Sequence, residues 1–375
     1  MKIAFMGLKT FPPEHGGMET MTSAIVAELI KDPQFSVTVL PLYCSSQQTG
    51  TENLKVVPLR VRNIPYLRSI LGGFAGAIKV YRIKPDVIHL NGLENAYLLP
   101  LLRLVGLKVV LNIRGTKWTL SRWGGSRLRI SNLPILAGML FFKINMKFFS
   151  LWANKIVTVN DVSLSQMPPL ARQKATVIYN SLDVHLDEDK DVLKRHALSP
   201  SGYLMFIGRL VPLKGVHYLI EAYSKINEPN LPLVIVGRFD KNNLYHAYLK
   251  QLAGGSDVRF IGAYYSNTAY TLIKHSRLMV LPSETEGMAV TILEAAILGT
   301  PILTSDIPEN TKLWGDSIFY FQNKQSLELK NQLNTLIKNK LLCQSKVEAA
   351  FDIANNKFNH KKQMSKMLSV YRDCV

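Results

Sequence analysis

Short apolar runs alternate with segments of helical periodicity along most of this chain, and this alternation constrains the fold more than any other feature. The runs predicted as strands are residues 2–6, 37–40, 55–59, 87–89, 108–113, 155–159, 176–179, 203–207, 233–237, 258–262, 278–281 and 301–304. Apolar strands separated by helices are typical of parallel sheets that are covered on both faces. The sequence therefore predicts an α/β fold of doubly wound parallel sheets, whose ligands bind beyond the carboxyl ends of the strands.

The chain is long enough for two such sheets. Its 375 residues are 47% apolar, and single hydrophobic cores rarely grow beyond about 250–300 residues. We expect a Rossmann-like N-terminal domain at residues 1–183 and a Rossmann-like C-terminal domain at residues 184–354. The charged stretch at residues 187–191 is the predicted linker between them.

Basic residues are concentrated in the first half of the chain. Residues 1–183 contain 22 Lys and Arg against 9 Asp and Glu, whereas the remainder contains 23 against 18. This excess predicts an anionic partner: a phosphorylated substrate, an anionic lipid surface or a nucleic acid. No zinc-ligand spacing, aromatic RNA-binding set or basic helix accompanies the charge, so we do not expect nucleic acid to be a partner.

Cysteine content and the N-terminal sequence bear on the compartment. Cys44, Cys343 and Cys374 have neither metal-ligand spacing nor a disulfide framework, which fits a reducing environment. The first predicted strand begins at Lys2, with no signal sequence before it. We therefore expect a cytoplasmic protein.

Residues 281–301 carry the most informative chemical pattern. An apolar strand leads into Glu286 and Gly287, and the helical pattern that follows ends at Gly299 and Pro301. Glu294 lies in that helix. Its carboxylate and that of Glu286 suit hydrogen bonds from sugar or ribose hydroxyls. The start of the helix provides backbone N–H groups that suit a diphosphate. These amides belong to Gly287, Met288, Ala289 and Val290.

Two other loops that follow predicted strands also favour anions. Gly16 and Gly17 precede a helix, although they lack the spacing of dinucleotide-binding or P-loop motifs. Arg209 and Lys214 lie in the loop after residues 203–207, where a forked guanidinium and a compact ammonium can both reach a diphosphate. Taken alone, a glycine pair is commonly an ordinary turn, and a basic pair is commonly just solvated.

These three motifs together resemble those of the retaining glycosyltransferases of family four, which have the GT-B fold. The resemblance extends over nearly the whole chain. Gly16-Gly17 is similar to the family's glycine loop, GRLVPLKG at residues 208–215 to its GRL-x-P-x-K-G loop, and Glu286 with Glu294 to its Glu-x7-Glu motif. It implies two Rossmann-like domains facing across a cleft, with a C-terminal helix at about residues 355–375 packing back on the first domain.

The resemblance also implies a role for each residue of the second-domain site. Arg209, Lys214 and the amides after Gly287 would bind the diphosphate of a nucleotide-sugar donor and stabilise it as it leaves. Glu294 would bind the ribose and Glu286 the donor sugar. The Gly16-Gly17 loop would lie against the donor phosphates and the acceptor.

Two further implications concern the base and the metal. Phe260 and Ile261 lie in a segment similar to the family's base-contacting strand, so they are candidate contacts for the nucleotide base. No Asp-x-Asp motif lies near the site, and we therefore expect neither a metal ion nor any other cofactor. Basic residues would replace the cation.

Residues 85–124 resemble a bacterial subgroup described as rhamnosyltransferases, with two departures. Asn91 stands where many relatives have histidine, and Arg114 stands where relatives have Asp or His. Because that position usually lies near the reaction centre, Arg114 is a candidate catalytic residue that faces a phosphate or a sugar. The departures keep open a catalytically lapsed partner subunit of the same fold. A sugar-nucleotide epimerase with a similar fold is the other alternative.

Residues 133–152 form the most apolar stretch. Lys143, Asn145 and Lys147 interrupt it, which argues against a membrane-spanning helix. With Arg127, Arg129 and nearby aromatic residues, it fits either a helix in a membrane interface or a core helix. The expected acceptor is a lipid-linked or oligosaccharide intermediate of bacterial surface glycan synthesis, namely O-antigen, capsule or exopolysaccharide. An anionic membrane surface would then be a partner, with the protein on the inner face of the cytoplasmic membrane.

Overall fold

The computed structural model describes residues 1–13, 16–44, 52–61, 68–115, 133–226 and 231–375. These residues divide into two compact units. Unit 1 consists of the described parts of Met1–Leu120 and Arg127–Asn180 together with His360–Val375, and unit 2 consists of those of Ser181–Asn359. Arg127 and Arg129, which the sequence suggested for a membrane interface, lie outside the described residues.

Unit 1 is built on a sheet that has seven strands within the described ranges. They are β1 (Lys2–Thr10), β2 (Ser36–Tyr43), β3 (Leu54–Val56), β4 (Val87–Asn91), β5 (Val109–Ile113), β6 (Lys155–Thr158) and β7 (Ala175–Val177). Their spatial order is β3-β2-β1-β4-β5-β6-β7, and every neighbouring pair is parallel. The order reverses direction at β1, which is the mark of a doubly wound sheet.

Helices connect these strands. Those of unit 1 are α1 (Gly17–Leu29), α2 (Arg68–Ile83), α3 (Leu99–Leu104), α4 (Leu133–Lys147), α5 (Asp161–Ser165) and α6 (Pro169–Arg172). Short 3-10 helices at Leu93–Leu98 and Phe149–Trp152 precede α3 and follow α4. Residues 93–104 are therefore divided between two helix types.

Unit 2 has a sheet of six strands in the described part of the chain. They are β8 (Leu204–Ile207), β9 (Leu233–Val236), β10 (Val258–Gly262), β11 (Leu278–Leu281), β12 (Ile302–Ser305) and β13 (Phe319–Phe321). Their order is β10-β9-β8-β11-β12-β13, again with parallel pairing. The prediction of two doubly wound parallel sheets is confirmed.

The helices of unit 2 follow the same alternation. They are α7 (Lys190–Arg195), α8 (Val216–Tyr223), α9 (Leu244–Leu252), α10 (Ser266–Lys274), α11 (Val290–Ile297), α12 (Pro308–Trp314), α13 (Ser326–Lys338) and α14 (Lys340–Asn356). The last helix, α15 (His360–Arg372), belongs to unit 1. In unit 1, α1 and α15 pack on one face of the sheet, and α2, α3 and α4 pack on the other.

The stretch predicted as a linker is tied into unit 2 instead. Glu188 accepts from Lys274 Nζ at 2.7 Å and lies 3.2 Å from His275 Nε2. Asp189 accepts from the Thr268 hydroxyl at 2.9 Å, and α7 starts at the next residue. Glu188 and Asp189 therefore have partners within unit 2. Their charge did not indicate a solvent-exposed linker at these two residues.

The C-terminal helix predicted at about residues 355–375 is interrupted near its start. α14 ends at Asn356, and α15 begins at His360. Phe358 in the break is buried and packs edge-on against Trp314, with the ring centroids 5.0 Å apart. Burying this ring in unit 2 stabilises the interruption more than a continuous helix would stabilise the same residues, since a buried aromatic contributes several kcal/mol, on the order of 2–3.

The apolar stretch at residues 133–152 contributes to the core. Phe142, Met146 and Phe149 pack against the cluster beneath α2 and α3, so the core-helix interpretation is confirmed for that side. Leu140 and Phe148 on the other side are exposed. Among the described residues, no helix has both the length and the hydropathy needed to cross a bilayer.

A hydrogen bond between two fully buried side chains attaches α15 to the sheet of unit 1. The Tyr371 hydroxyl lies 2.7 Å from Nδ1 of His89, the middle residue of β4. The N–H groups of Arg114 face one atom of the Asn112 amide, which is therefore assigned as its oxygen and also lies 3.0 Å from His89 Nε2. Nε2 thus carries the proton, and Nδ1 accepts from tyrosine. Burial, followed by the charge of Arg114, lowers the pKa of His89 to about 3. The imidazole is therefore neutral at physiological pH.

We predict that Tyr371→Phe lowers the free energy of unfolding by about 1–3 kcal/mol, because His89 Nδ1 would lose its donor in a buried site. Tyr179→Phe is the matched control, since its hydroxyl donates to Asp161 in an exposed position, and it should change stability by less than about 0.5 kcal/mol. Denaturant unfolding measures both variants. Equal losses in the two would contradict the anchoring role.

Candidate active site

The loops after β8 and β11 meet at the carboxyl edge of the sheet in unit 2. These two strands are hydrogen-bonded neighbours, so residues 208–215 and residues 282–289 leave the sheet side by side. The amide of Glu284 donates to the carbonyl oxygen of Leu213 at 2.9 Å and joins the loops directly. Two predicted motifs that are far apart in the sequence are thus brought together, at the edge where ligands bind in such sheets.

Gly215 allows the close approach of these loops. Its φ of +66° is left-handed, and a Cβ built on it would lie 1.9 Å from the carbonyl oxygen of Pro282. Glycine alone tolerates both conditions, because any side chain would clash with backbone. The last glycine of the GRLVPLKG segment therefore sets the position of the residue before it, Lys214.

Lys214 forms an ion pair with Glu286. Its ammonium nitrogen contacts Oε1 of the carboxylate, and the side chains are only 18% and 11% exposed. At this burial either charge alone would be costly, and the pair compensates both. Lys214, which is predicted to bind the diphosphate, is thus paired with Glu286, which is predicted to bind the donor sugar.

Arg209 lies at the start of the same loop. Its side chain is exposed, and it forms no hydrogen bond or ion pair with any side chain in the described ranges. An arginine whose guanidinium has no carboxylate partner keeps its full charge and all five donors for a ligand. Arg209 is therefore an available cation beside a compensated pair.

His246 holds this loop from below, although the sequence pattern did not single it out. Its Nδ1 accepts from the amide of Asp240 at 2.9 Å, so Nε2 carries the proton and donates to the carbonyl oxygen of Leu210 at 2.7 Å. The ring is buried. One imidazole thus connects the loop after β9 to the residue next to Arg209.

Aromatic rings line the neighbouring strand ends. Phe239 lies 5.3 Å from the ring of His246 and 5.2 Å from that of Phe260, measured between ring centroids. Phe260 and Ile261 are half-buried in β10. Phe260 and Ile261, which are predicted to contact a nucleotide base, therefore lie in the strand next to β9. His246 holds the loop that follows β9.

Glu284 is a second carboxylate of the site that the motif did not predict. Its Oε1 accepts from the Tyr218 hydroxyl at 3.1 Å, and its Oε2 pairs with Lys324 Nζ at 3.0 Å. The side chain is 4% exposed. Because both oxygens are engaged, Glu284 braces the loop and leaves Glu286 as the carboxylate next to Lys214.

The helix after this loop starts without a side-chain cap. Ala289 is the N-cap residue of α11 and cannot accept a hydrogen bond through its side chain. Met288, Ala289 and Val290 are buried, and they follow Gly287. The start of a helix favours an anion through its first-turn amides and the helix dipole. The helix start predicted at residues 287–290 is therefore present, and its role in binding a diphosphate remains a prediction.

Glu294 lies one turn further along α11 and faces α10. Burial raises the pKa of its carboxyl to about 8. Burial raises the pKa of Tyr270 on α10 to about 12, and the charge of Glu294 adds to that shift. The carboxyl is thus held largely protonated at neutral pH, which makes it both a donor and an acceptor.

The predicted residues of unit 1 form a separate polar network. Arg114 Nη1 donates to Asn180 Oδ1 at 2.6 Å, and its Nε and Nη2 both lie 3.2 Å from the Asn112 oxygen. Burial, partly offset by Glu19, lowers the pKa of Arg114 to about 10. The guanidinium remains charged at neutral pH. Asn180 and Asn112 are thus partners of this guanidinium.

Gly16 and Gly17 start α1, with Gly16 at a φ of +94°. The carboxylate of Glu19 folds back over this turn, since a Cβ on Gly16 would lie 3.0 Å from its Oε2. Glu94 is held in the same way over Gly92. Burial, with the charge of Glu19 adding to it, raises the pKa of Glu94. An anion entering this region would meet two acids, so the role predicted for Gly16 and Gly17 in phosphate binding remains a prediction.

The described residues contain no cluster of three or more His, Cys, Asp and Glu side chains that would suit a metal ion.

The match to a known protein family lies within unit 2. Residues 189–353 match the family model for glycosyl transferases group 1. The likeness to group 1 glycosyl transferases thus covers most of unit 2. An uncharacterized glycosyltransferase of Methanocaldococcus jannaschii is 32% identical over 143 residues, 36% of this chain and 37% of that protein. The UDP-Gal:alpha-D-GlcNAc-diphosphoundecaprenol alpha-1,3-galactosyltransferase of Escherichia coli is 26% identical over 381 residues, 93% of this chain and 92% of that protein.

Solved structures extend the likeness to the whole chain. Sucrose-phosphate synthase from Thermosynechococcus elongatus superposes with a TM-score of 0.77 at 15% identity, covering 99% of this chain and 98% of that one. HepE from Anabaena, in complex with UDP-glucose, gives a TM-score of 0.74 at 20% identity, covering 98% and 99%. At such identities the likeness shows the fold, which is the predicted GT-B fold. The segment that matches the group 1 family model contains Arg209, Lys214, Glu286 and Glu294.

We predict a pH-dependent loss of stability from Glu294. Its pKa is raised to about 8 from 4.5, so the folded state keeps a proton that the unfolded chain releases. The free energy of unfolding should therefore fall as the pH rises from about 4.5 to about 8, by on the order of a few kcal/mol. Glu294→Gln should flatten that slope, and Glu348→Gln, on the exposed side of α14, should not. Unfolding curves at stepped pH measure the difference, and identical slopes in all three proteins would refute it.

Proposed function

We propose that this protein transfers a sugar from a nucleoside diphosphate sugar to an acceptor, with retention of anomeric configuration and without a metal ion. The observation that carries the proposal is the junction at Gly215 and Pro282, which places Arg209, Lys214 and Glu286 at the carboxyl edge of one sheet. The match of the same residues to the group 1 family supports it.

The diphosphate would bind where the cations and the helix start converge. Arg209 supplies a forked guanidinium with no competing carboxylate among the described residues, and the amides before α11 supply further donors. Lys214 would exchange part of its contact with Glu286 for a phosphate oxygen. These donors stabilise the charge that develops as the diphosphate leaves, which in comparable sites is worth about 3–4 kcal/mol for each donor.

The carboxylates would hold hydroxyl groups. Glu286 beside Lys214 would accept from the donor sugar, and Glu294 would bind the ribose. A ribose hydroxyl that donates to Glu294 favours its ionised form, so nucleotide binding and loss of its proton are coupled. We assign no enzymic nucleophile. The leaving phosphate would assist attack on the same face, which preserves the anomeric configuration.

The donor and the acceptor are proposed by similarity. HepE has been solved with UDP-glucose, and the E. coli relative is named for transfer from UDP-Gal to a lipid diphosphate-linked sugar. We therefore propose a hexosyl or deoxyhexosyl donor, with Phe260 and Ile261 near its base. The proposed acceptor is a lipid-linked or oligosaccharide intermediate of bacterial surface glycan synthesis, reached at a cytoplasmic membrane face. The rhamnosyltransferase-like subgroup remains a prediction.

The alternatives differ in what the site can bind. A lapsed subunit would have lost the donor site, whereas Arg209, Lys214, Glu286 and Glu294 are all present here and the ion pair is formed. An epimerase would release the altered sugar nucleotide without transfer. Binding of a diphosphate followed by analysis of products distinguishes all three.

We predict that Arg209→Ala weakens binding of a nucleoside diphosphate by about 10- to 100-fold, as expected when a hydrogen-bonded charge worth about 1.5–3 kcal/mol is removed. Calorimetric titration of UDP, GDP, ADP, dTDP and CMP in the presence of EDTA measures it. Lys250→Ala, an exposed cation on α9, is the control and should bind like the wild type. If the wild-type protein binds none of the five, or if Arg209→Ala binds as it does, the donor site is wrongly assigned.

We predict a different outcome for Glu286→Gln. Removing the carboxylate charge frees Lys214 for phosphate, so affinity for the diphosphate should be unchanged or tighter. Turnover should fall by about 100- to 1000-fold, as for loss of one donor or acceptor that acts on the transition state. Release of nucleotide from a panel of sugar nucleotides with membrane lipid extract as acceptor provides the rate. Full activity in this variant would exclude Glu286 from the reaction.

A further inference from the structure

The outer side of the helical layer formed by α2, α3 and α4 exposes large apolar side chains. Six of them lie on the three helices, at the residue after α4 and in the segment Phe149–Trp152. They are Phe74 at 45%, Ile78 at 59%, Leu104 at 77%, Leu140 at 60%, Phe148 at 54% and Trp152 at 47%. We call these six residues the apolar face. Side chains of this size are normally exposed singly, and a contiguous group marks an interaction surface.

Packing between the helices makes the face continuous. The ring centroid of Tyr97 lies 5.7 Å from that of Phe74 on α2 and 5.9 Å from that of Phe141 on α4. Tyr97 therefore bridges the two helices. α3 packs on the segment Phe149–Trp152, which brings Leu104 and Trp152 into the same layer.

The charge around this face has one sign. Residues 95–160 contain ten Lys and Arg and no Asp or Glu. Lys143 and Lys147 on α4 and Arg82 at the end of α2 are exposed. None of the three forms an ion pair with a residue in the described ranges. The apolar face is thus bordered by cations that no described residue of unit 1 pairs with.

A basic pocket lies at the border of the face. It has a volume of about 420 Å³ and is lined by Arg103, Leu151, Trp152, Ala153, Asn154 and Lys174. Lys174 Nζ donates to the carbonyl oxygens of Leu151 and Ala153 at 2.7 and 3.3 Å, which fixes the ammonium at the pocket wall. Arg103 makes one long contact, 3.5 Å from Nη1 to the Leu107 oxygen. Two cations beside an exposed indole suit a phosphate group at an apolar-aqueous boundary.

We infer that the apolar face and its cations are a docking surface for an anionic lipid bilayer. Leucine, isoleucine and aromatic side chains would enter the acyl boundary, lysines and arginines would lie at the headgroups, and the pocket beside Trp152 would take one lipid phosphate. The charge favours this occupant over a second copy of the chain, because two such faces would bring like charges together. A nucleic acid would use the cations but leave the apolar side chains exposed.

The inference rests on the proposed function in one respect: docking would hold the enzyme where a lipid-linked acceptor lies. Membrane binding is measured without donor or turnover, so its failure would leave the donor-site assignment untouched. In the same way, failure to bind a nucleoside diphosphate would not contradict the docking surface.

The test is co-flotation of the purified chain with vesicles of phosphatidylcholine, with and without phosphatidylglycerol. We expect binding to the mixed vesicles only, and its loss at high salt, because salt screens the headgroup attraction. Arg82→Gln, Lys143→Gln and Lys147→Gln combined should weaken binding on the order of 100-fold, at about fivefold for each cation. Ile78→Ser, Leu104→Ser and Leu140→Ser combined should weaken it by about tenfold or more.

Matched controls carry the same changes on exposed sites of unit 2. Leu244→Ser with Leu341→Ser removes side chains that are 79% and 86% exposed. Lys250→Gln with Lys338→Gln removes exposed cations. Both controls should bind vesicles like the wild type.

Three outcomes would overturn the inference. The wild-type chain could fail to float with anionic vesicles at low salt. The controls could lose as much binding as the variants of the face. Sedimentation could show that the apolar variants turn a dimer into a monomer, in which case the face is an interface between two copies.

Discussion

The contact between Gly215 and the carbonyl oxygen of Pro282 determines where the chemistry of unit 2 can occur. A parallel sheet brings the ends of β8 and β11 to one edge, but only a residue without a side chain lets their loops touch. That approach puts Lys214 within reach of Glu286. His246 and Glu284 then hold the two loops in place from opposite sides, through Leu210 and through Tyr218 with Lys324. The site is therefore built from backbone packing first and from charged side chains second.

Charge compensation shapes both units. Partly buried cations are costly without a partner, and here they have one: Lys214 has Glu286, and Arg114 has Asn112 and Asn180 with Glu19 nearby. Exposed cations such as Arg209 and Lys143 incur little cost and keep their charge available. A diphosphate or a lipid headgroup would thus be attracted by the exposed residues and would have to compete for the partly buried ones. The exposed cations would thus attract the ligand, and the partly buried cations would position it.

Particular residues show how far the sequence could be read. The apolar period of the strands and the glycine-ended helices predicted both sheets, because side-chain periodicity reflects which face is buried. The same reading took the acids at residues 187–191 for a linker, since charge normally marks solvent, and the structure pairs Glu188 with Lys274 and His275. It predicted an uninterrupted helix from about residue 355, because nothing local marks the burial of Phe358 against Trp314. His246 gave no signal because a lone histidine in an amphipathic helix is usually a core residue.

The sequence by itself determined the alternation of strands and helices, the glycines at the tight loops and the kinds of side chain available for anions and hydroxyls. These depend on residues close together in the chain, whose periodicity and backbone preferences are local properties. The tertiary structure alone decided which of those groups meet: Lys214 with Glu286, Arg114 with Asn180, and Tyr371 with His89. Such pairs join strands and helices through crossover connections, so their distances follow from sheet order and register. Those in turn are set by the packing of the whole core.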